Sequence, residues 1–126
     1  MEMGTPVPVL RSFDEANARE FYCGFLGFTV DWEHRFESDF PLYMQIRRGD
    51  CILHISEHFG DASPGGLVRI PVGDLDGYIA GLNAKTYKHA RPGIETHPWG
   101  RETAVSDPFH NRLIFYAAVP PGPSAV

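Results

Sequence analysis

Two aspartates, Asp14 and Asp74, stand sixty residues apart, and the chain runs through the same pattern around each. An aspartate before an apolar helical stretch caps free backbone N–H groups. Ahead of Asp14 lies the short strand-like run Val7-Pro8-Val9-Leu10, and ahead of Asp74 the run Leu67 to Val72. Pro8 donates no backbone hydrogen bond, which suits an edge, a bulge or a chain crossing. After Asp14, the residues Ala16, Ala18, Phe21, Tyr22, Phe25 and Leu26 recur on one helical face, and Gly27 stops it. Strand patterns follow over Phe28 to Phe36, over Phe40 to Arg47 with Pro41 near its start, and over Cys51 to Ser56 after a Gly49-Asp50 turn. Residues 58–66 read as a linker, and then the pattern restarts. The second helix runs from Asp74 through Ala84, and two or three strands end in Leu113 to Ala117.

The chain is therefore β-α-β-β-β written twice, a repeat of architecture with slight identity between halves. Either half alone leaves a sheet face uncovered, and pairing the halves makes a cup, a natural ligand site. The expected fold is α+β: two βαβββ modules forming a curved mixed-sheet cup within a single domain of 126 residues. Module 1 covers about residues 5–58 and module 2 about 66–118, with a disordered tail at 119–126 beginning Pro120-Pro121-Gly122-Pro123.

A net charge of −5 and the absence of a basic stripe argue against nucleic acid; Arg47-Arg48 is an isolated pair. An acidic surface favours a cationic ligand through long-range attraction. No apolar run approaches the roughly 20 residues of a membrane span, and residues 1–7 lack the form of a signal peptide. The two cysteines, Cys23 and Cys51, form no CxxC pair and lie within apolar patterns, as reduced core thiols of a cytoplasmic protein do. Neither stands in a context that would activate a thiol. Ser56 lacks a G-x-S-x-G setting, and neither a P-loop nor a dinucleotide fingerprint occurs.

His54, Glu57 and His58 spell H-x-x-E-H, a pattern of some zinc peptidases, which needs a helix. Here the segment is strand-like, so His54 reads as a hydrogen-bonded core residue or as a ligand contact at the cup floor. The segment Asp31-Trp32-Glu33-His34-Arg35-Phe36-Glu37-Ser38-Asp39-Phe40 interleaves aromatic and acidic residues. A strand with one wet and one dry face explains that pattern without a site. Trp99, between Pro98 and Gly100, is expected where the chain enters a strand lining the cup, with a core tryptophan as the plain alternative.

Two groups of residues carry a family resemblance. One is Val7-Pro8-Val9-Leu10 with Asp14, Phe21-Tyr22 and Leu26-Gly27-Phe28; the other is Pro98-Trp99-Gly100-Arg101-Glu102 followed by Asp107-Pro108 and Asn111. In order and spacing they resemble the vicinal oxygen chelate superfamily over about residues 6–118, and most of all its bleomycin-resistance branch. The resemblance implies the glyoxalase/bleomycin-resistance fold. It places the metal-ligand positions of the superfamily's enzymes at Val7, His54, Leu67 and Ile114. Three of these side chains offer no lone pair, and one histidine cannot hold a catalytic metal that takes three or four protein ligands. No metal and no cofactor are therefore expected.

The resemblance further implies a binding protein, more than an enzyme, that sequesters a bleomycin-type or other aromatic, cationic antibiotic and so confers resistance. It implies stacking of the ligand on Trp99, an aromatic wall from Phe36 or Phe40, and contacts from Trp32, His54 and Arg101. It also implies a homodimer that exchanges N-terminal strands. The alternative is a metal-dependent lyase or dioxygenase of the same superfamily, with relocated ligands drawn from His54, Glu57, His58 or His110.

Overall fold

The computed structural model describes residues 2–118, so the expected tail lies outside the described residues. The chain divides into two compact units. The first is built on residues up to Gly66 together with Asp107–Asn111; the second begins at Leu67, breaks off at Ser106 and resumes at Arg112. The architecture is the expected α+β one, with eight strands among the described residues in two mixed four-stranded sheets.

Unit 1 holds β1 (Val9–Arg11), α1 (Glu15–Ala18), β2 (Thr29–His34), β3 (Tyr43–Arg48) and β4 (Cys51–Ser56), with strand order β1-β4-β3-β2. β1 is parallel to β4, and the other pairs are antiparallel. Asp14 caps α1 by accepting the Asn17 N–H at 2.8 Å. The helix continues as a π-helical segment, Arg19–Phe25, whose wider winding appears in the Leu26 N–H bond to Phe21 O, five residues back, at 2.9 Å. Gly27 ends it at φ 84°, a conformation that favours glycine. The spacing that suggested a helical face fills the core: Phe21, Tyr22, Phe25 and Leu26 are buried with Met44, Ile46, Leu53 and Ile55 of the sheet. Burying each such side chain contributes about 1.5–3 kcal/mol.

Val7 and Pro8 precede β1 instead of forming it, although Pro8 O still accepts the His54 N–H at 2.9 Å. β2 is shorter than the Phe28 to Phe36 pattern and carries a bulge: Val30 pairs with Ile46 and Trp32 with Gln45, leaving Asp31 as the extra residue.

The Asp107–Asn111 turn belongs to unit 1 and is organised by one buried carboxylate. Asp107 Oδ1 accepts the Phe109 and Asn111 N–H groups, each at 2.8 Å. Its Oδ2 accepts the Tyr22 hydroxyl at 2.6 Å and the Asn111 amide at 2.8 Å. Burial first, and then Asp107, hold the Tyr22 hydroxyl far above the ordinary tyrosine range.

Unit 2 repeats the plan with β5 (Leu67–Pro71), α2 (Leu75–Ala84), β6 (Glu95–His97), β7 (Gly100–Ser106) and β8 (Arg112–Ala118), in the order β5-β8-β7-β6. Asp74 caps α2 through the Gly77 N–H at 3.0 Å. Tyr78 of α2 packs edge-on against Phe115 of β8, with ring centroids 5.1 Å apart. Among the described residues no helix is long and apolar enough to cross a membrane.

Candidate functional site

In unit 1, strand alternation sends Met44, Ile46, Leu53 and Ile55 into the core and leaves the other sheet face to polar and aromatic groups. Val9, His54, Gln45 and Trp32 form one cross-strand row on that face. The β2 bulge adds Asp31, because two consecutive residues there oppose the single Gln45. Trp32 lies near-parallel to Tyr43, at 9° with centroids 6.0 Å apart, and edge-on to His54 at 5.3 Å. Tyr43 Oη lies 2.6 Å from His54 Nδ1, and His54 Nε2 lies 2.8 Å from Gln45 Oε1. The Gln45 amide donates to Asp31 Oδ2 at 2.8 Å, and Arg47 Nε donates to the same oxygen at 3.0 Å. The Gln45 bond, and then Arg47, keep Asp31 below the usual carboxylate range. Burial lowers His54 below the usual histidine value, which favours a neutral ring.

Phe36 and Phe40 lie beyond the end of β2, in the connection to β3, and both rings are exposed. Phe36 meets His34 edge-on at 5.1 Å, while the backbone oxygen of Phe40 accepts from Arg35 at 2.8 Å. The acidic residues of this stretch divide between roles. Asp31 faces the aromatic row, whereas Glu33 pairs with Arg19 of the helix at 2.9 Å. Arg35 pairs with Glu15 at the start of α1.

In unit 2 the sheet face turned away from α2 carries a second aromatic and acidic group. Trp99 sits in the turn between β6 and β7, ahead of the strand, and is 61% exposed. Its ring stacks on His97 at 8° with centroids 4.5 Å apart, and its Nε1 donates to Glu102 Oε1 at 3.0 Å. Glu102 also lies 3.7 Å from Arg69, whose guanidinium covers Tyr116 at 4.7 Å. The indole is thus held in a set plane with one side on an imidazole. Arg101 alternates to the other face and forms two bonds to Asp76 of α2, at 2.9 and 2.6 Å, so it does not share the face of Trp99. A hollow of about 490 Å³ beside β7, lined by His89 to Glu95 and Ala104 to Ser106, holds no Trp, Tyr or Phe ring.

The four expected ligand positions do not fit a metal. Val7 and Leu67 are exposed aliphatics, and Ile114 is a buried one. Both ring nitrogens of His54 already have a partner at hydrogen-bond distance, Nδ1 at Tyr43 Oη and Nε2 at Gln45 Oε1. Glu57 Oε1 accepts the Leu42 N–H at 3.0 Å, and His58 follows the end of β4. No group of three His, Cys, Asp or Glu side chains suited to a metal occurs among the described residues. The two cysteines are free and half-buried instead of core residues, and burial pushes both thiols up, away from the thiolate.

Sequence reading had not singled out Tyr43, Gln45, His97 or Glu102 as site residues. Tyr43, Gln45 and Arg47 alternate with buried Met44 and Ile46, which was the available signal. Asp31 reaches this face only through the bulge, which has no sequence signature here.

Characterised proteins compared by sequence gave no match. Solved structures did. The bleomycin-binding protein of bleomycin-producing Streptomyces verticillus, complexed with copper(II)-bleomycin, is 29% identical. That match covers 94% of this chain and 99% of that one, with a TM-score of 0.71. The bleomycin resistance determinant encoded on transposon Tn5 is 20% identical over 92% and 98% of the two chains, with a TM-score of 0.70. The antibiotic binding protein TnmS3 from Streptomyces sp. CB03234 is 20% identical over 94% and 100%, with a TM-score of 0.68. A family model described as "Glyoxalase superfamily protein" matches residues 2–121. The chain belongs to the glyoxalase superfamily.

Proposed function

We propose that the protein is a metal-free binding protein that sequesters an aromatic, cationic antibiotic of the bleomycin type. The observation that carries this reading is Trp99: a large indole, 61% exposed, fixed in plane by His97 and by a hydrogen bond to Glu102. A fixed aromatic plane stacks on a flat ring at low entropic cost, and the net charge of −5 favours a cation. The relative with the highest identity given above binds bleomycin, and four aliphatic or engaged side chains stand at the superfamily's metal positions. Protection then comes from stoichiometric capture and requires protein in excess of drug. Within this reading Phe36, Phe40, Trp32 and His54 are ligand contacts carried by unit 1. The protein acts as a cytoplasmic homodimer whose exposed residues ahead of β1 exchange between copies.

The test is titration of metal-free bleomycin against wild type and Trp99→Ala, followed by tryptophan fluorescence, with elemental analysis of protein purified without chelator. We expect saturable binding at one drug per chain, weakened tenfold or more in the variant, on the order of a hot-spot tryptophan. A flat wild-type titration overturns the drug assignment, and near-stoichiometric transition metal overturns the metal-free reading.

A further inference from the structure

The hydrogen bonds on the unit 1 face have a direction that can be deduced. Asp31 Oδ2 takes two donors, the Gln45 amide and Arg47 Nε. The Gln45 side chain must turn its NH₂ toward Asp31, since the opposite orientation would set an amide oxygen against a carboxylate. Gln45 Oε1 then faces His54 Nε2 as an acceptor, at 2.8 Å, so Nε2 carries the proton. Nδ1 of the neutral ring is left with only a lone pair, and Tyr43 Oη, 2.6 Å away, must donate to it. The chain of donors runs from Tyr43 through His54 and Gln45 to Asp31. Its outer end is a hydroxyl whose proton is already committed inward.

We propose that Tyr43 fixes the polarity of the ligand: its Oη presents only lone pairs, so the Trp32–Tyr43 wall takes an aromatic group bearing an N–H donor, preferentially a cationic ammonium or amidinium. Trp32 is 43% exposed and lies within 9° of the Tyr43 plane, which offers a π-surface beside the acceptor. Charge favours a cation over a neutral donor. Asp61 acts on Tyr43 as a nearby negative charge, and Arg47, the cation on the same row of β3, is matched by Asp31. His34, in register with Tyr43, and His58, with its ring centroid 6.4 Å away, are further titratable groups near the hydroxyl, and Arg11, on the same cross-strand row through Ser56, has its guanidinium over the Phe13 ring at 4.6 Å. An anionic ligand group would meet an oxygen with no proton to give.

This inference deepens the proposed function by naming the ligand feature that unit 1 reads. Its test uses the full chain and three probes: benzylammonium, benzyltrimethylammonium and phenylacetate. Binding is followed by NMR at the Trp32 indole N–H, one of two indoles in the chain, assigned with Trp32→Phe. Long-range ¹⁵N–¹H correlation reads the His54 tautomer. We expect the Nε2–H form, and benzylammonium binding about tenfold more tightly than its trimethylated analogue, the size of one hydrogen bond to a charged group. Phenylacetate should leave Trp32 unshifted. Tyr43→Phe keeps the ring and removes the acceptor, so the N–H preference should fall to about onefold. Gln45→Leu, which frees the tautomer, should lower it by a route that leaves Tyr43 in place. An Nδ1–H tautomer, an unchanged preference in Tyr43→Phe, or no response of Trp32 to either cation overturns the proposal. A failed bleomycin titration beside an intact N–H preference refutes the drug assignment alone.

Discussion

Asp107→Asn isolates the charge that organises the turn of unit 1. Asp107 and Asn111 are 5% and 0% exposed, so water cannot replace what the substitution removes. Four donors converge on the carboxylate: two backbone N–H groups, the Tyr22 hydroxyl and the Asn111 amide. With asparagine, Oδ1 can keep both backbone donors, and the Tyr22 oxygen can turn to accept from the new NH₂. The Asn111 amide has no such freedom. Its oxygen is held by the Gly66 N–H at 3.0 Å and its other hydrogen by Arg11 O at 2.8 Å. One donor is left buried and unpaired, costing about 1–3 kcal/mol, and three bonds lose charge assistance at roughly 0.5–1 kcal/mol each. The expected loss is about 3–5 kcal/mol, or about 10–20 °C in Tm for a domain of this size. Tyr22→Phe alone should cost about 2 kcal/mol. In the Asp107→Asn background the tyrosine bond is already a neutral one, so in the double variant the combined loss should fall short of the sum of the two single losses by about 1 kcal/mol. Thermal and urea unfolding followed by circular dichroism measures all four species. A loss below 1 kcal/mol in Asp107→Asn, or strict additivity, refutes this account of the turn.

Two further outcomes follow from geometry already described. Because burial lowers His54, the unfolded chain binds a proton that the folded chain does not in the interval below the ordinary histidine value of about 6.5. The stability from this site is complete above that value and is lost as pH falls through the folded value; the fall in Tm between pH 7 and 5 should be shallower in His54→Gln, and an equal slope counts against a neutral His54. A Cβ on Gly77 would lie 2.2 Å from Asp74 Oδ2, inside the cap of α2. Gly77→Ala should therefore miss the gain of about 1 kcal/mol usual in a helix and recover it only in an Asp74→Ala background; stabilisation in the wild-type background would show that the cap is dispensable.

Much of this architecture could be read from the chain because it rests on local chemistry. Asp14 and Asp74 cap helices, and the strand over Cys51 to Ser56 and the helix reaching Ala84 have the expected bounds. The superfamily resemblance is carried by the family match over residues 2–121. The π-helical winding of Arg19–Phe25 was not legible, because the apolar spacing i, i+3, i+4 serves both windings. The aromatic residues of the candidate site stand out in the sequence, and the groups that hold them do not. Trp99 stands out in the sequence between Pro98 and Gly100, but Glu102 matters only because the β6–β7 turn folds the indole back onto it. Arg101 reads as a ligand contact until strand alternation turns it to the face carrying Asp76.

The bulge in β2 separates what the strand needs for folding from what it offers to a ligand. Residues on either side of Asp31 keep the faces that an uninterrupted ladder would give them: Val30 opposite Ile46, Trp32 opposite Gln45. Asp31 is thus an inserted letter, and removing it would close the ladder without turning any other side chain over. What would vanish is the anion that orients Gln45, and with it the order imposed on His54 and Tyr43. Under the proposed reading, gain or loss of a single codon at this place would retune recognition while the hydrophobic core stays unchanged.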